Sequence, residues 1–303
     1  MSQQRLHLRL PATSANLGPA LDTAAVALDM YLDLTAEISQ SFAIDATGRN
    51  ADPCSRLEDN MLLRTYQQTL EENGRAILPL HLAIQNEIPF GMGCGSSAAA
   101  RLAGTALAAH FGELGWDSAA ILGAACRLEG HPDNAAACWM GGMTVAAVVE
   151  EDQTASVQAI AVPVPSAWSA LLVLPSQPLP TSISRSALPA QYSRQDALAN
   201  LQRASLLVAA FAQGRGDLLH WAMQDSLHQP YRAAMCPLLP RLAPLAGRDG
   251  VLGVALSGAG PAVLMVLDAT ADRTDLYQSV HKVVAEVDEV EIVACKFAPV
   301  STL

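Results

Sequence analysis

The stretch from Ile88 to Ala100 constrains this chain more than any other. It reads Ile-Pro-Phe-Gly-Met-Gly-Cys-Gly-Ser-Ser-Ala-Ala-Ala. The alternating Leu80, Leu82 and Ile84 before it predict a strand. The alanine-rich run after it, opened by Ser96 or Ser97 and ending near Gly112, predicts a helix. Gly91, Gly93 and Gly95 alternate in between, so the backbone can take positive φ and approach a ligand closely. Free N–H groups at a helix N-terminus carry partial positive charge. With two serine hydroxyls beside them, they suit a phosphate chain. Walker A is excluded, because that pattern needs a lysine. The glycine spacing and the loop's place in the chain also differ from a dinucleotide fingerprint. A plain serine-capped turn is the alternative that the loop alone leaves open.

The 303 residues are 51% hydrophobic and 16% charged, which excludes wholesale disorder and suggests about two domains. A net charge of −11 argues against binding to nucleic acid or to anionic lipid. Lys282 and Lys296 are the only lysines, so a carboxylate or phosphate must be gripped by arginine or by backbone N–H groups. The six cysteines have no CxxC or CxxH spacing. They are expected to be buried thiols rather than zinc ligands. The N-terminus lacks the basic-then-apolar pattern of a signal peptide. Prolines or glycines break the uncharged stretches Thr154–Ser184 and Gly250–Leu267. The expectation is a soluble cytoplasmic protein with no membrane partner.

Further strands are expected at Arg5–Leu10 (stopped by Pro11), Tyr31–Ile38 (Leu32, Leu34, Ala36 and Ile38 inward), Gly142–Val149, Trp168–Leu174, Val251–Leu256, Val263–Leu267 and Glu291–Phe297. Helices are expected from Asn60 to about Glu72, Ser118 to about Leu128, Asp196–Gln213, Gly216–Leu227 and about Asp272–Glu286. The proline-rich stretch from Val162 to Pro180 is the candidate domain junction. The mixed order of elements favours α+β over a doubly wound parallel sheet.

Polar residues cluster at a few other places. Glu129-Gly-His-Pro-Asp-Asn134 follows a helix stop, and Glu129 with Ser97 offers hard oxygen ligands for Mg²⁺. Pro11–Asp22 reads as a loop in which Asn16 and Asp22 present acceptors. Leu256-Ser-Gly-Ala-Gly-Pro-Ala262 is a second glycine-rich turn. Arg185 and Arg232 are candidate carboxylate forks. Taken singly, each of these reads at least as well as an ordinary turn, and the arginines and Glu129 more often as surface charges.

Together, Pro-Ala-Thr-Ser-Ala-Asn-Leu-Gly near the start, Gly-x-Gly-Ser-Ser-Ala-Ala near residue 95 and Ser-Gly-Ala-Gly-Pro near residue 257 resemble the three motifs of the GHMP small-molecule kinases. Four further strings resemble the homoserine-phosphorylating branch. They are Glu129–Asn134, Thr181-x-x-x-Arg185-x-x-Leu-Pro189, Asp225-x-x-His-Gln-Pro-Tyr-Arg232 and Asp59-Asn-Met-Leu62. The resemblance implies an α+β, two-domain fold. Residues 1–160 would form a nucleotide-binding domain like ribosomal protein S5 domain 2, and residues 161–303 a ferredoxin-like domain.

The resemblance further implies that ATP lies along Pro89, Phe90, Gly91, Met92, Gly93, Cys94, Gly95, Ser96, Ser97, Ala98 and Ala99, with Asn60 where the adenine pocket begins. Ser97 and Glu129 would hold Mg²⁺. Asn16, Asp22, His131, Asp133, Arg185 and Arg232 would line an amino-acid site for L-homoserine. Asn134 and Arg185 would be the catalytic pair, and the assembly a homodimer. Asn134 stands where mevalonate and galactokinase-like members resemble a pattern with aspartate. An amide can orient a hydroxyl but cannot act as a general base. Two departures from the family pattern concern the loop of Asp22, where Ala20 and Leu21 replace a glycine and an aromatic, and Cys94, which could make the phosphate loop oxidisable. A kinase for another small alcohol and a silent nucleotide or metabolite sensor are the alternative functions.

Overall fold

Period-two alternation of apolar residues sorts this chain into two sheets and two cores. The computed structural model describes residues 5–151, 154–270, 273–287 and 289–301. Strand β1 (Arg5–Asn16) pairs antiparallel with β2 (Ala20–Ile38) along most of its length. β3 (Ala43–Gly48) runs parallel to β4 (Leu80–Asn86), which pairs with the second half of β2. β5 (Met143–Glu151) pairs with the first half of β2 and carries β6 (Thr154–Val162) at its other edge. The sheet order is β3-β4-β2-β5-β6, with β1 also on β2.

Helices α1 (Ala51–Ser55), α2 (Met61–Glu72), α3 (Ser96–Phe111), α4 (Ser118–Glu129) and α5 (Asp133–Met140) belong to the same half of the chain. Leu62, Tyr66 and Leu70 of α2 share one core with Leu102 and Leu107 of α3 and with Leu32, Leu34 and Leu82 of the sheet. Asn60 caps α2, its side-chain oxygen accepting from Leu62 N (3.1 Å) and Leu63 N (3.3 Å). Asp117 caps α4 through Ala120 N at 2.8 Å.

The second sheet contains β7 (Trp168–Leu174), β8 (Val251–Leu256), β9 (Val263–Asp268) and β10 (Glu291–Cys295) in the antiparallel order β10-β7-β9-β8. That is the ferredoxin-like order. Between β7 and β8 lie α6 (Thr181–Ser186), α7 (Arg194–Gln213), α8 (Leu219–Ala222), α9 (Gln229–Arg232) and α10 (Leu238–Leu242). Helix α11 (Arg273–Val284) precedes β10. Every residue of β7 is buried, and the alternation divides them between two cores. Ala170, Leu172 and Leu174 join the main core with Leu207 and Phe211 of α7. Leu171 and Val173 join a second core under Leu238, Leu242, Leu276 and Val280.

The structure corrects several local expectations. Pro11 does not end β1: a register shift between Pro11 and Ala12 absorbs it, and the strand runs on to Asn16. Pro11–Asp22 is therefore mostly strand, with a short turn at residues 17–19. Ile38, expected inward, is exposed at the last position of β2, although it still pairs with Leu80 of β4. Neither Ser96 nor Ser97 caps α3. The N-cap is Gly95 in the left-handed region (φ 74°), with no side-chain cap, and the serine hydroxyls are left for other partners. Within residues 162–180 the strand expected at Trp168–Leu174 forms as β7.

Gly216–Leu227 is not one helix. It gives a 3₁₀ turn at Gly216–Leu218 and then α8. Beyond that, the Asp225 carboxylate takes the N–H groups of Leu227 (2.9 Å), His228 (2.9 Å) and Gln229 (2.6 Å), which stops the helix from continuing. Asp272, where the last helix was expected to start, lies outside the described residues. The closing strand ends at Cys295, and the tail returns to the first sheet through Ala298 N–Ala27 O at 2.9 Å. Among the described residues, no helix is long and apolar enough to cross a membrane.

Candidate active site

The glycine loop is fixed by its own carbonyls. Those of Gly91, Met92, Gly93 and Cys94 accept from Leu179 N (3.1 Å), Ala262 N (3.3 Å), Ser257 Oγ (2.8 Å) and Thr13 N (3.0 Å). The carbonyls thus turn toward the protein. No hydrogen bond among the described residues uses the N–H groups of Gly93, Cys94, Gly95, Ser96 or Ser97. They are free donors at the start of a 16-residue helix. Space demands glycine at two points. A Cβ at Gly93 would stand 2.1 Å from Ser257 O, and one at Gly95 1.9 Å from Thr13 Oγ1, both at positive φ. The three glycine- and serine-bearing motifs therefore meet at this loop. Cys94 is buried, and burial pushes its thiol up to about 12. It is not the oxidisable point that its position in the loop had suggested.

Two cavities meet at Ser96. The more apolar one, about 230 Å³, lies among Leu32, Pro53, Met61, Ile84, Ile88, Phe90 and Ala99. Asn60 is in its wall, but its amide is fully engaged: Oδ1 caps α2, and Nδ2 donates to Cys54 O (3.1 Å) and Arg56 O (3.0 Å). Asn60 therefore shapes this cavity by ordering the helix start. The second cavity, about 190 Å³, is lined by Gly91, Gly93, Cys94, Gly95, Ser96 and Ser97 and by polar residues from both halves of the chain. Of the residues expected along ATP, Pro89, Met92 and Ala98 line neither cavity.

Opposite the loop, the Ser97 hydroxyl donates to Glu129 Oε2 at 2.8 Å, and Arg101 pairs with the same oxygen. A hydroxyl and a carboxylate side by side form an oxygen-only donor set, which fits a hard divalent cation. Asp22, His131 and Asp133 also bring three ligand atoms within 4.8 Å of one another. That set mixes nitrogen with oxygen, which suits a hard cation less well than oxygen alone. His131 Nδ1 lies 2.6 Å from Asp133 Oδ1. Burial, the largest influence on the His131 imidazole, pulls its pKa down. The Asp133 hydrogen bond and the charges of Asp133 and Glu129 outweigh that and hold it above the ordinary value.

Asn134 lies in the first turn of α5, and its Oδ1 accepts from the Thr13 hydroxyl at 2.6 Å. Thr13, which the sequence reading passed over, is wholly buried. Its signal was the pair of adjacent hydroxyls, Thr13 and Ser14, within a motif already singled out. Asn16, expected to face the substrate, spends its amide inside the protein. Nδ2 donates to Gly258 O (2.8 Å), and Oδ1 accepts from Asp22 N (3.0 Å). It lines the cavity while tying the first motif to the third. Ala20 does not adopt positive φ, so alanine in place of glycine there costs nothing in backbone strain. The left-handed positions are Asn16, Leu17, Gly18 and Asp22.

Asp22 and Arg185 form a two-pronged ion pair, with contacts of 3.1 and 2.5 Å. The hydrogen bond to Asp22 raises the pKa of Arg185. Arg232 is different. It is 1% exposed, its partners are the neutral His228 Nδ1 (2.9 Å) and Ser184 O (3.4 Å), and it forms no ion pair among the described residues. Burial, then the nearby Arg185 charge, lowers its pKa. A buried cation with no carboxylate in contact with it is costly unless an anion arrives.

Comparison with known proteins agrees with this geometry. The model of the GHMP kinases N terminal domain matches residues 60–142, and that of the GHMP kinases C terminal domain matches residues 207–285. A homoserine kinase of Solibacter usitatus is 40% identical over 286 residues, covering 94% of this chain and 91% of its own. One from Synechocystis is 38% identical, covering 86% and 85%. Among solved structures, homoserine kinase of Cytophaga hutchinsonii superposes with a TM-score of 0.81 at 22% identity, covering 99% of this chain and 96% of its own. Mevalonate kinase of L. major, in complex with R-mevalonate, superposes with a TM-score of 0.70 at 15% identity, covering 99% of each chain. With the two family domains in order and relatives of this similarity over nearly the whole length, the chain belongs to the GHMP kinase family.

Proposed function

We infer that this chain transfers the γ-phosphate of ATP to the side-chain hydroxyl of L-homoserine, giving O-phospho-L-homoserine on the route to threonine. The observation that carries the reading is Arg232, a buried guanidinium whose hydrogen-bond partners among the described residues are neutral, on the same cavity as the glycine loop. A substrate with a carboxylate gives that cation its counter-ion, and mevalonate-type and sugar substrates differ from an amino acid in lacking an ammonium for Asp22. Relatives at 34–40% identity that bear the name homoserine kinase support the choice.

In this reading the adenine occupies the apolar cavity beside α2, and the phosphates follow the N–H groups of the loop to the start of α3. L-homoserine lies in the polar cavity. Its ammonium faces Asp22 and its carboxylate faces Arg185 and Arg232, so a zwitterion slips into an existing ion pair and replaces each partner with like charge. His131 and Asp133 close the wall beside it. Ser97 and Glu129 would hold Mg²⁺, which when bound neutralises phosphate charge.

Asn134 has given its oxygen to Thr13, so its Nδ2 is what faces the substrate. It donates to the homoserine hydroxyl oxygen and leaves the O–H proton pointing toward the phosphate, its acceptor in this reading. Positioning and charge, rather than a side-chain base, then carry the phosphoryl transfer. Residues 1–160 serve as the nucleotide domain and 161–303 as its partner. A cytoplasmic homodimer follows from the family resemblance, and sedimentation at several concentrations tests the dimer.

The direct test is ADP release with Mg-ATP and L-homoserine, mevalonate, galactose or L-threonine side by side. Turnover with homoserine alone is expected. Turnover with another alcohol, or none despite ATP binding, would overturn the substrate.

A further inference from the structure

We propose that His228 is a positioning residue that aims the Arg232 guanidinium at the substrate carboxylate. The inference rests on the reading of Arg232 given above. His228 is wholly buried, and its ring lies between two groups that leave its protonation no choice. Nε2 is 2.6 Å from Gly18 O, and a carbonyl can only accept, so Nε2 carries the proton. Nδ1 is 2.9 Å from Arg232 Nη1, and a guanidinium can only donate, so Nδ1 is the bare acceptor. The imidazole is therefore neutral and fixed in one tautomer. Burial, the larger influence, and the Arg232 charge both lower its pKa, while Asp225 opposes them. Asp225, 3.6 Å from Nε2, is already occupied by three backbone N–H groups.

The chain of contacts has a direction. Gly18 lies in the turn that carries Asn16 and Asp22, and a Cβ there would stand 2.0 Å from Met223 O. Pro19 O in the same turn accepts from Asn200 Nδ2 at 2.6 Å. The turn is thus seated against the second half of the chain. His228 reads the position of that turn through Gly18 O and passes it to Arg232. Nη1 is held by His228 and Nε leans on Ser184 O, which leaves Nη2 without a protein partner among the described residues. One imidazole thereby sets the spacing between the proposed carboxylate site at Arg232 and the proposed ammonium site at Asp22. A carboxylate in place of His228 would cancel the charge that draws the substrate. A neutral acceptor holds the guanidinium and leaves its charge free.

The test compares His228→Asn, His228→Gln and Arg232→Ala, reading KM for L-homoserine, KM for ATP, kcat and thermal unfolding. Asparagine can place an oxygen where Nδ1 stands and keep the acceptor for Arg232. Glutamine can reach Gly18 O but leaves Arg232 without its acceptor. His228→Gln should raise KM for homoserine roughly tenfold, the effect of one hydrogen bond to a charged group. KM for ATP should stay within about twofold, and His228→Asn should recover most of the loss. Added to Arg232→Ala, His228→Gln should cost nothing more.

If Arg232→Ala raises KM for homoserine while His228→Gln leaves it unchanged, the positioning role fails and the carboxylate reading stands. An unchanged KM in Arg232→Ala overturns that reading and this role with it. Equal losses in the Asn and Gln variants would make His228 merely structural and overturn the proposal. Should a variant not fold, ¹⁵N-histidine spectra of the unaltered protein at pH 7.5 decide. An Nε2–H tautomer with bare Nδ1 is expected, and an Nδ1–H or doubly protonated ring overturns the assignment.

Discussion

The Thr13 hydroxyl donates to Oδ1 of Asn134 across 2.6 Å, joining residues 121 positions apart in sequence. This bond fixes the oxygen end of the amide, and Thr13 lies directly behind Gly95 of the glycine loop. Thr13→Val keeps the shape and removes the donor. We expect kcat to fall about tenfold, in line with one lost hydrogen bond of ~1 kcal/mol or slightly more, with KM for ATP little changed. Steady-state kinetics with both substrates check this.

Replacing Asn134 by aspartate separates orientation from base catalysis. The carboxylate would still accept from Thr13 but could not donate to the substrate hydroxyl, and its charge would oppose the incoming phosphate. The rate at pH 7.5 should drop by about two orders of magnitude. A pH–rate profile in which Asn134→Asp outpaces the native protein would show that a base is what the site wants.

Glu129→Gln keeps the shape and removes the charge beside Ser97. If these two residues hold Mg²⁺, the concentration giving half-maximal rate should rise about tenfold, while the maximal rate at saturating Mg²⁺ recovers in part. A Mg²⁺ titration at fixed ATP reads this, and an unshifted curve would move the metal elsewhere.

Gly95→Ala should destabilise the fold as well as the site. Its φ of 74° is strained for any side chain, and the new Cβ would overlap the buried Thr13 Oγ1. A loss of about 2 kcal/mol or more is expected. Denaturant unfolding with and without nucleotide measures both effects.

All six cysteines are buried. Burial raises their pKa above the ordinary value of 9.0, to about 12 for Cys94, Cys126 and Cys295 and about 11 for Cys236. A folded-state pKa above the unfolded one means that the thiols favour folding fully below pH 9 and that this contribution fades as pH rises toward 11–12. Unfolding midpoints should therefore fall between pH 9 and 11. A thiol reagent at pH 8 should label the native protein slowly and the unfolded protein at all six positions. Rapid native labelling of Cys94 would contradict its burial.

Local chemistry is what the sequence made legible. Asn60 and Asp117 announce helix starts because their side chains bond to N–H groups two or three residues on. The alternation in β2 and β4, the apolar runs of β7 and β9 and the glycines of the loop before α3 are equally short-range signals. The misreadings had local causes as well. A proline after a short alternating run reads as a stop, but a register shift between Pro11 and Ala12 accommodates it. Gly216–Leu227 looked helical until the Asp225 carboxylate captured the backbone donors that a helix needs.

The sequence by itself determined that a glycine-rich loop sits between a strand and a helix, that arginine or backbone N–H groups must grip any anion, and which motifs belong together. Tertiary structure alone decided how they meet. Asn16 bridges to Gly258 across 242 positions, and Asp22 meets Arg185 across 163. The residues expected to face a substrate thus divide into those that hold the site together and those that face the cavity. Only the fold could bury Arg232 with no ion-pair partner among the described residues and set His228 against it. Capping and alternation act within a few residues, whereas desolvation and hydrogen-bond exchange depend on what two cores bring into contact.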